Sequence, residues 1–395
     1  MDDEITASII SATSSNTDRS IISNFIVPFL WKCGIASASV ITLIAGLLYA
    51  KQDSLLYFPT IGDLPRRTGG NPRRFRSPAE WGIPFESHMI RCEDGISIHS
   101  WLLLHPNSKQ QRLPTILYFH GNAGNIGLRL PNAFDMFKKL NANILMVEYR
   151  GYGDSDDTKP NEAGLKLDSE AALRFILSHS SVDPGRIFLF GRSLGGAVAF
   201  HLANYAEKNK LGLAGIMVEN TFLSISTMVD HLMPLVAPFK PLVLRIGWDS
   251  SRIAKSLRTP ILYLAGDADT LVPHSHMKAL HKISNNSGTY VKMHIIHGGT
   301  HNESWQIGGD RYYQAMKNFM SETFSMERSN SFIAEHNDWA NKGSTKVPPV
   351  AVGMGMEIDS SGVQSAIPIM PGNLVGMAKA ASTGEIPKQT GKKKD

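Results

Sequence analysis

A serine hydroxyl is a weak nucleophile at neutral pH unless a base stands beside it and the backbone presents it outward. Ser193 has the backbone setting. It lies in Gly191-Arg192-Ser193-Leu194-Gly195-Gly196, with the apolar stretch Arg186–Phe190 before it and Gly196–Ala203 after it. The first reads as a buried strand and the second as a helix. Strand, sharp turn and helix are what a G-x-S-x-G run needs to hold its serine in a strained backbone state with Oγ outside the sheet. The plain alternative is an ordinary glycine-rich turn.

A base and an acid follow in the chain order Ser, Asp, His. Pro260–Ala265 reads as a strand running into Gly266-Asp267-Ala268-Asp269, and a helix is expected from about Pro273. Two carboxylates stand on that loop, and Asp269 is chosen over Asp267 as the acid. Val291–Ile296 reads as a further strand, followed by His297-Gly298-Gly299-Thr300-His301. His301 is the candidate base. His294 and His297 lie on or beside the strand and are expected to serve packing or polar satisfaction. Neutral imidazole would take the Oγ proton and return it to the leaving group, while the carboxylate fixes the ring tautomer.

The tetrahedral oxyanion needs backbone donors. Thr115–Phe119 reads as a strand that enters His120-Gly121-Asn122-Ala123-Gly124-Asn125. The expected donors are the N–H groups of Asn122, with Ala123, and of Leu194, the residue after the nucleophile. The same loop could instead cradle phosphate at a helix N-terminus. The chain contains no G-x-x-x-x-G-K-[ST] run to support that.

Composition sets the frame for these residues. The chain has 395 residues, 42% hydrophobic and 19% charged, with a net charge of +5. This allows one large globular domain with tails, and the mild basic excess does not point to nucleic acid. Cys33 and Cys92 give neither a disulfide framework nor a metal spacing. His294, His297 and His301 could suggest a metal site. Their strand-and-loop setting lacks the helical i, i+4 alignment, and no carboxylate or cysteine set joins them, so no metal and no cofactor is expected.

Residues 1–20, rich in Ser and Thr, read as disordered. Residues 21–50 read as a single-pass transmembrane anchor, because Cys33–Ala50 is uncharged and apolar. A cleaved signal peptide and an interfacial helix are the alternatives. Residues 51–80 carry Arg66, Arg67, Arg73, Arg74 and Arg76 and read as a basic linker, either simply solvated or facing anionic lipid. Residues 81–325 alternate strands and helices after an opening hairpin around Asp94-Gly95. That predicts a mostly parallel sheet flanked by helices with an antiparallel edge. Within this domain about residues 222–258, broken by Pro234, Pro238 and Pro241, are expected to form a small helical cap. The last predicted helix covers about 304–323, and residues 326–395 read as a disordered tail ending in Lys392-Lys393-Lys394-Asp395.

The chain resembles the α/β-hydrolases, and more closely the membrane-anchored α/β-hydrolase-domain proteins of the Bem and wavy-growth type. The carrying motifs are Tyr118–Asn125, Tyr149–Ser155, Gly191–Gly196, Glu219–Phe222, Gly266–Pro273 and Gly299–Asn302. The likeness spans roughly residues 40–324. It implies an α/β-hydrolase fold and a serine hydrolase of acyl esters or thioesters, with membrane lipids and an acylated protein or lipid as partners. Related branches include protein depalmitoylases. A lysophospholipase, a general carboxylesterase and a catalytically silent membrane scaffold remain open at this point.

For location, Lys51, Arg66 and Arg67 follow the apolar run while Arg19 and Lys32 precede it, which places the hydrolase domain in the cytosol. The terminal lysines resemble a dilysine retrieval signal of endoplasmic-reticulum membrane proteins, which works from the same side. The sequons at Asn285 and Asn302 would matter only in a lumenal domain.

Overall fold

The structure, a computed structural model, describes residues 24–25 and 27–341, with side chains through Met326. The predicted disorder of residues 1–20, Arg19 and the terminal lysines lie outside the described residues. The first element is helix α1, Val27–Leu56. It is apolar enough to cross a membrane, and its most apolar stretch is not buried against the rest of the chain. It runs six residues beyond the predicted end because Lys51-Gln52-Asp53-Ser54-Leu55-Leu56 contains no helix breaker.

The domain is an eight-stranded sheet in the order β1-β2-β4-β3-β5-β6-β7-β8. Strands β1, Phe85–Arg91, and β2, Ser97–Leu103, form the predicted antiparallel hairpin. β2 pairs antiparallel with β4, Asn143–Val147. Every later pairing is parallel, through β3 (Thr115–Phe119), β5 (Ile187–Arg192), β6 (Gly215–Glu219), β7 (Ile261–Gly266) and β8 (Val291–Ile296). The central strands β3, β4, β5, β6 and β7 are buried throughout, as strands covered on both faces must be.

Helices α2 (Leu130–Leu140), α3 (Glu162–Ser178) and α4 (Leu194–Lys208) lie between strands, with α3 starting at the Asn161 cap. Two hydrophobic cores form, one on each face of the sheet. One holds Leu117, Leu189, Val198 and Phe200, and the other holds Ile116, Phe188, Phe190 and Phe319.

The predicted cap contains α5 (Ile225–Leu232), a short 3-10 turn, α6 (Lys240–Val243) and α7 (Ser250–Ala254). Helix α8, His274–Asn286, follows β7, and α9, Ser304–Asn341, ends the described chain with a break at Gly309. α9 continues well past the predicted helix end into the expected tail, because Asp310–Lys342 holds neither Gly nor Pro. The remaining tail, 342–395, lies outside the described residues. The arginine-rich segment is packed rather than free. Thr68, Asn71 and Phe75 are buried, and Asn71 and Asn125 exchange side-chain hydrogen bonds at 2.8 and 3.0 Å.

Candidate active site

The carboxyl ends of β5, β6, β7 and β8 bring the candidate residues to one edge of the sheet, where ligands bind in open α/β folds. Ser193 sits between β5 and α4 with φ 54° and ψ −120°, a conformation that L residues rarely adopt. Three bonds hold it there. Its N–H donates to the Glu219 carbonyl at 2.9 Å, and its own carbonyl accepts Thr221 Oγ1–H at 2.7 Å and Gly196 N–H at 2.9 Å. The glycines are steric necessities: a Cβ on Gly191 would overlap the Gly195 carbonyl, and one on Gly195 would overlap the Phe119 carbonyl. The turn can therefore close only with bare backbone at both positions.

Asp269 and His301 are brought together. His301 Nδ1–H donates to Asp269 Oδ2 at 2.7 Å, and both side chains are nearly excluded from solvent. The other carboxylate oxygen of Asp269 accepts the N–H groups of Leu271 and Val272, each at 2.9 Å. A carboxylate so occupied cannot rotate, and it fixes the tautomer that leaves His301 Nε2 with a lone pair. Asp267 makes a parallel pair in water. His297 Nδ1 donates to it at 2.8 Å and Gly298 N–H at 2.7 Å, while the His297 side chain is 86% exposed against 9% for His301. Those two bonds, His297 first, hold the Asp267 carboxyl below the ordinary carboxylate range.

Asn220 ties the pieces into one edge. Its Nδ2 donates to the Thr300 and His301 carbonyls at 3.0 and 3.2 Å and to Ser304 Oγ at 2.9 Å. Its Oδ1 accepts Gly266 N–H at 2.8 Å. The preceding residue, Glu219, is the one whose carbonyl holds Ser193. The sequence alone gives Asn220 and Thr221 no role, because their importance depends on contacts 28 to 84 residues away.

In the His120–Asn125 loop the peptide planes after Gly121 and Asn122 are set by their carbonyls. The Gly121 carbonyl accepts His120 Nδ1–H at 2.7 Å. The Asn122 carbonyl accepts Phe58 N–H at 2.9 Å and Tyr152 Oη–H at 2.7 Å. In a trans peptide the N–H points opposite to the C=O. The N–H groups of Asn122 and Ala123 are thus turned away from those partners. A Cβ added to Gly121 would lie 3.8 Å from Ser193 Cβ, so the loop borders the nucleophile. Leu194 opens α4, where the first-turn N–H groups have no intrahelical partner.

Beneath this edge Arg192 and Glu219 form a fully buried ion pair at 2.8 Å, joined by Tyr312 Oη–H at 3.0 Å and by Asn132. Burial opposes the Arg192 charge, but Glu219 overrides it and holds the guanidinium above its ordinary value.

The three histidines of the β8 region are separated in role: His301 faces Asp269, His297 faces Asp267, and His294 stays on β8. Elsewhere Glu86, His88 and His179 lie close enough to share a cation. However, His179 Nδ1 accepts Ser181 N–H, so its proton sits on Nε2 and points at Glu86. A metal at Nε2 would require the opposite tautomer.

A parallel sheet with an antiparallel edge hairpin, a strained serine turn after β5 and an Asp–His pair on the loops after β7 and β8 defines an α/β hydrolase. Residues 166–327 match the prolyl oligopeptidase family. The chain is similar to protein bem46 of Schizosaccharomyces pombe, at 34% identity over 76% of this chain and 96% of that protein. It is also similar to the α/β-hydrolase domain-containing protein WAV2 of Arabidopsis thaliana, at 34% identity over 70% and 89%. An uncharacterized membrane protein of Saccharomyces cerevisiae, YNL320W, is 31% identical over 71% and 93%. Among solved structures, Pyrococcus furiosus esterase Pf2001 superposes with a TM-score of 0.52 at 16% identity, over 65% of this chain and 98% of that one. The chain belongs to the α/β-hydrolase family represented by Bem46 and WAV2.

Proposed function

We propose that the protein is a membrane-anchored serine hydrolase that cleaves acyl esters or thioesters, with Ser193 as nucleophile, His301 as base and Asp269 as the group that orients His301. The observation that supports this most directly is the Asp269–His301 bond at 2.7 Å on the loops beside a serine strained at φ 54°. His301 Nε2 takes the Oγ proton as Oγ attacks the acyl carbon. The resulting oxyanion is met by the N–H groups of Asn122, Ala123 and Leu194. Collapse expels the alcohol or thiol, which takes the proton from the imidazolium. Water, activated by the same imidazole, then releases the acid from the acyl-enzyme.

Within this class the acyl thioester of a palmitoylated protein is the preferred substrate, because α1 would hold the site beside the membrane in which such chains lie. Detergent-solubilised protein tested on a panel of acyl thioesters, lysophospholipids and short-chain esters separates this from a lysophospholipase or a carboxylesterase. Labelling of wild-type protein but not Ser193→Ala by a fluorophosphonate probe separates all three from a silent scaffold.

The domain is proposed to face the cytosol of the endoplasmic reticulum membrane. Asn285 is exposed at the end of α8, so a lumenal domain would offer it for glycosylation. A glycosidase-sensitive mass shift that vanishes in Asn285→Gln would reverse the orientation.

A further inference from the structure

The cap leaves its apolar side uncovered. Leu232, Met233, Leu235, Phe239 and Leu242 are all exposed, Leu235 by 89% and Leu242 by 81%. Single exposed apolar residues are ordinary, whereas a cluster of them marks an interaction surface. No charge lies between Leu232 and Phe239, and the Lys240 ammonium that follows is turned onto Asp230.

The cluster adjoins α1. Helix α6 packs against α1. Gln52 donates from Nε2 to the Val243 carbonyl at 2.6 Å, and its Oε1 accepts the N–H groups of Arg245 and Ile246 at 2.8 and 3.2 Å. Arg245 pairs with Asp53 at 2.6 Å and stands 6.0 Å from the Tyr49 ring. On α1 itself, Ala45 and Leu48 are half-buried and Gln52 is buried, a stripe along one helix face. The cap therefore stands beside the last turns of the apolar run, not below it.

The uncharged run Cys33–Ala50 is about 27 Å long at 1.5 Å per residue, close to the thickness of a bilayer's hydrocarbon core. Lys32 and Lys51 bracket it. If α1 spans a bilayer, Ala45 and Leu48 lie inside its boundary, and the cap residues at their level lie there too. Tyr49 and Arg245 then fall at the head-group layer, where an aromatic ring and a long cationic side chain are favoured.

We propose that the cap segment Leu232–Val243 is a second membrane contact, seated in the head-group and upper acyl region of the lipid bilayer beside α1. The proposal rests on reading α1 as an anchor. It deepens the substrate reading: a cap at that depth takes acyl chains from the membrane itself. The cap root is also tied to the site, because Thr221 holds Ser193 and Leu223 N–H donates to His276 Nδ1 at 3.3 Å.

The test uses the full chain with Cys33→Ser, in vesicles of phosphatidylcholine and phosphatidylserine. Cys92 is buried, and burial followed by Asp168 pushes its thiol up to about 12, so it does not compete for label. Nitroxides are placed singly at Leu235→Cys, Leu242→Cys, Leu43→Cys in mid-run, and Lys208→Cys at the opposite end of α4. Collision with oxygen, which enriches in lipid, is compared with collision with a water-soluble nickel chelate. Oxygen should dominate at 235, 242 and 43, and nickel at 208. Oxygen dominance at 43 with nickel dominance at 235 and 242 overturns the cap contact and leaves the anchor standing. Shielding of 235 and 242 from both probes means a protein partner covers the patch, which also overturns it. Nickel dominance at 43 overturns the anchor, and the cap contact with it.

Discussion

The N–H of Phe58 donates to the carbonyl of Asn122 at 2.9 Å, and the carbonyl of Phe58 accepts Gly124 N–H at 2.9 Å. The segment leaving α1 is thereby built into the loop beside the nucleophile. Asn122 Nδ2–H also donates to the Leu56 carbonyl at 2.9 Å, so the last turn of α1 takes part in the same contact. Tyr57, between them, is buried and accepts Trp248 Nε1–H at 2.8 Å.

Truncation should therefore show a sharp boundary. Protein lacking residues 1–50 should lose its integral anchoring, leaving only the weaker contact of the cap, while the domain stays folded with a melting temperature near that of the full chain. Protein lacking residues 1–58 should melt much lower and lose turnover. Tyr57→Ala alone should cost about 3 kcal/mol, the usual size for emptying a buried aromatic site. Thermal and urea melts of the three proteins check this. Equal melting of the two truncations would mean that residues 51–58 only decorate the domain.

The two Asp–His pairs predict different kinetics for two similar carboxylates. Ser193→Ala and His301→Ala should lower kcat/KM by about four orders of magnitude or more, and Asp269→Asn by somewhat less. Asp267→Asn should change it little, since its partner His297 faces water. Activity lost in Asp267→Asn but kept in Asp269→Asn would reassign the acid.

Acid should loosen the root of the cap. Burial, then the nearby His231, holds the His276 pKa below the ordinary histidine value, with Asp269 pulling the other way. Neutral His276 accepts Leu223 N–H. A histidine whose folded pKa is depressed adds stability that is full above the unfolded value of about 6.5 and is lost as pH falls toward the folded one. Amide exchange at Leu223 and Ser224 should accelerate below about pH 6.5 beyond the intrinsic pH trend. A His276→Gln variant, unable to take up the proton, should show no such added acceleration.

Breaking the buried pair under the nucleophile should cost stability more than affinity. Glu219→Gln leaves the Arg192 guanidinium buried without a counter-charge, a loss of about 3–5 kcal/mol. Urea denaturation measures it. A change below about 1 kcal/mol would show that the surrounding hydroxyls and amides satisfy the guanidinium without Glu219.

Local sequence determined a good deal of this protein. Strands Thr115–Phe119 and Val291–Ile296 were legible to the residue, because apolar pattern acts within a few positions. The placement of Ser193 between strand and helix was legible for the same reason, as was the apolar run of α1. Helix ends without breakers, at Leu56 and Asn341, were not. The contacts that build the site were decided in three dimensions. Asp267 and Asp269 share one loop, and only the packing of α8 and the β8 loop buries one Asp–His pair and leaves the other in water. Phe58 meets Asn122 across 64 residues of chain, and Asn220 meets Ser304 across 84. Such bonds carry no periodicity of their own. They follow from a sheet order that sets β5, β6, β7 and β8 side by side, and they fix where one hydroxyl, one imidazole and one carboxylate stand.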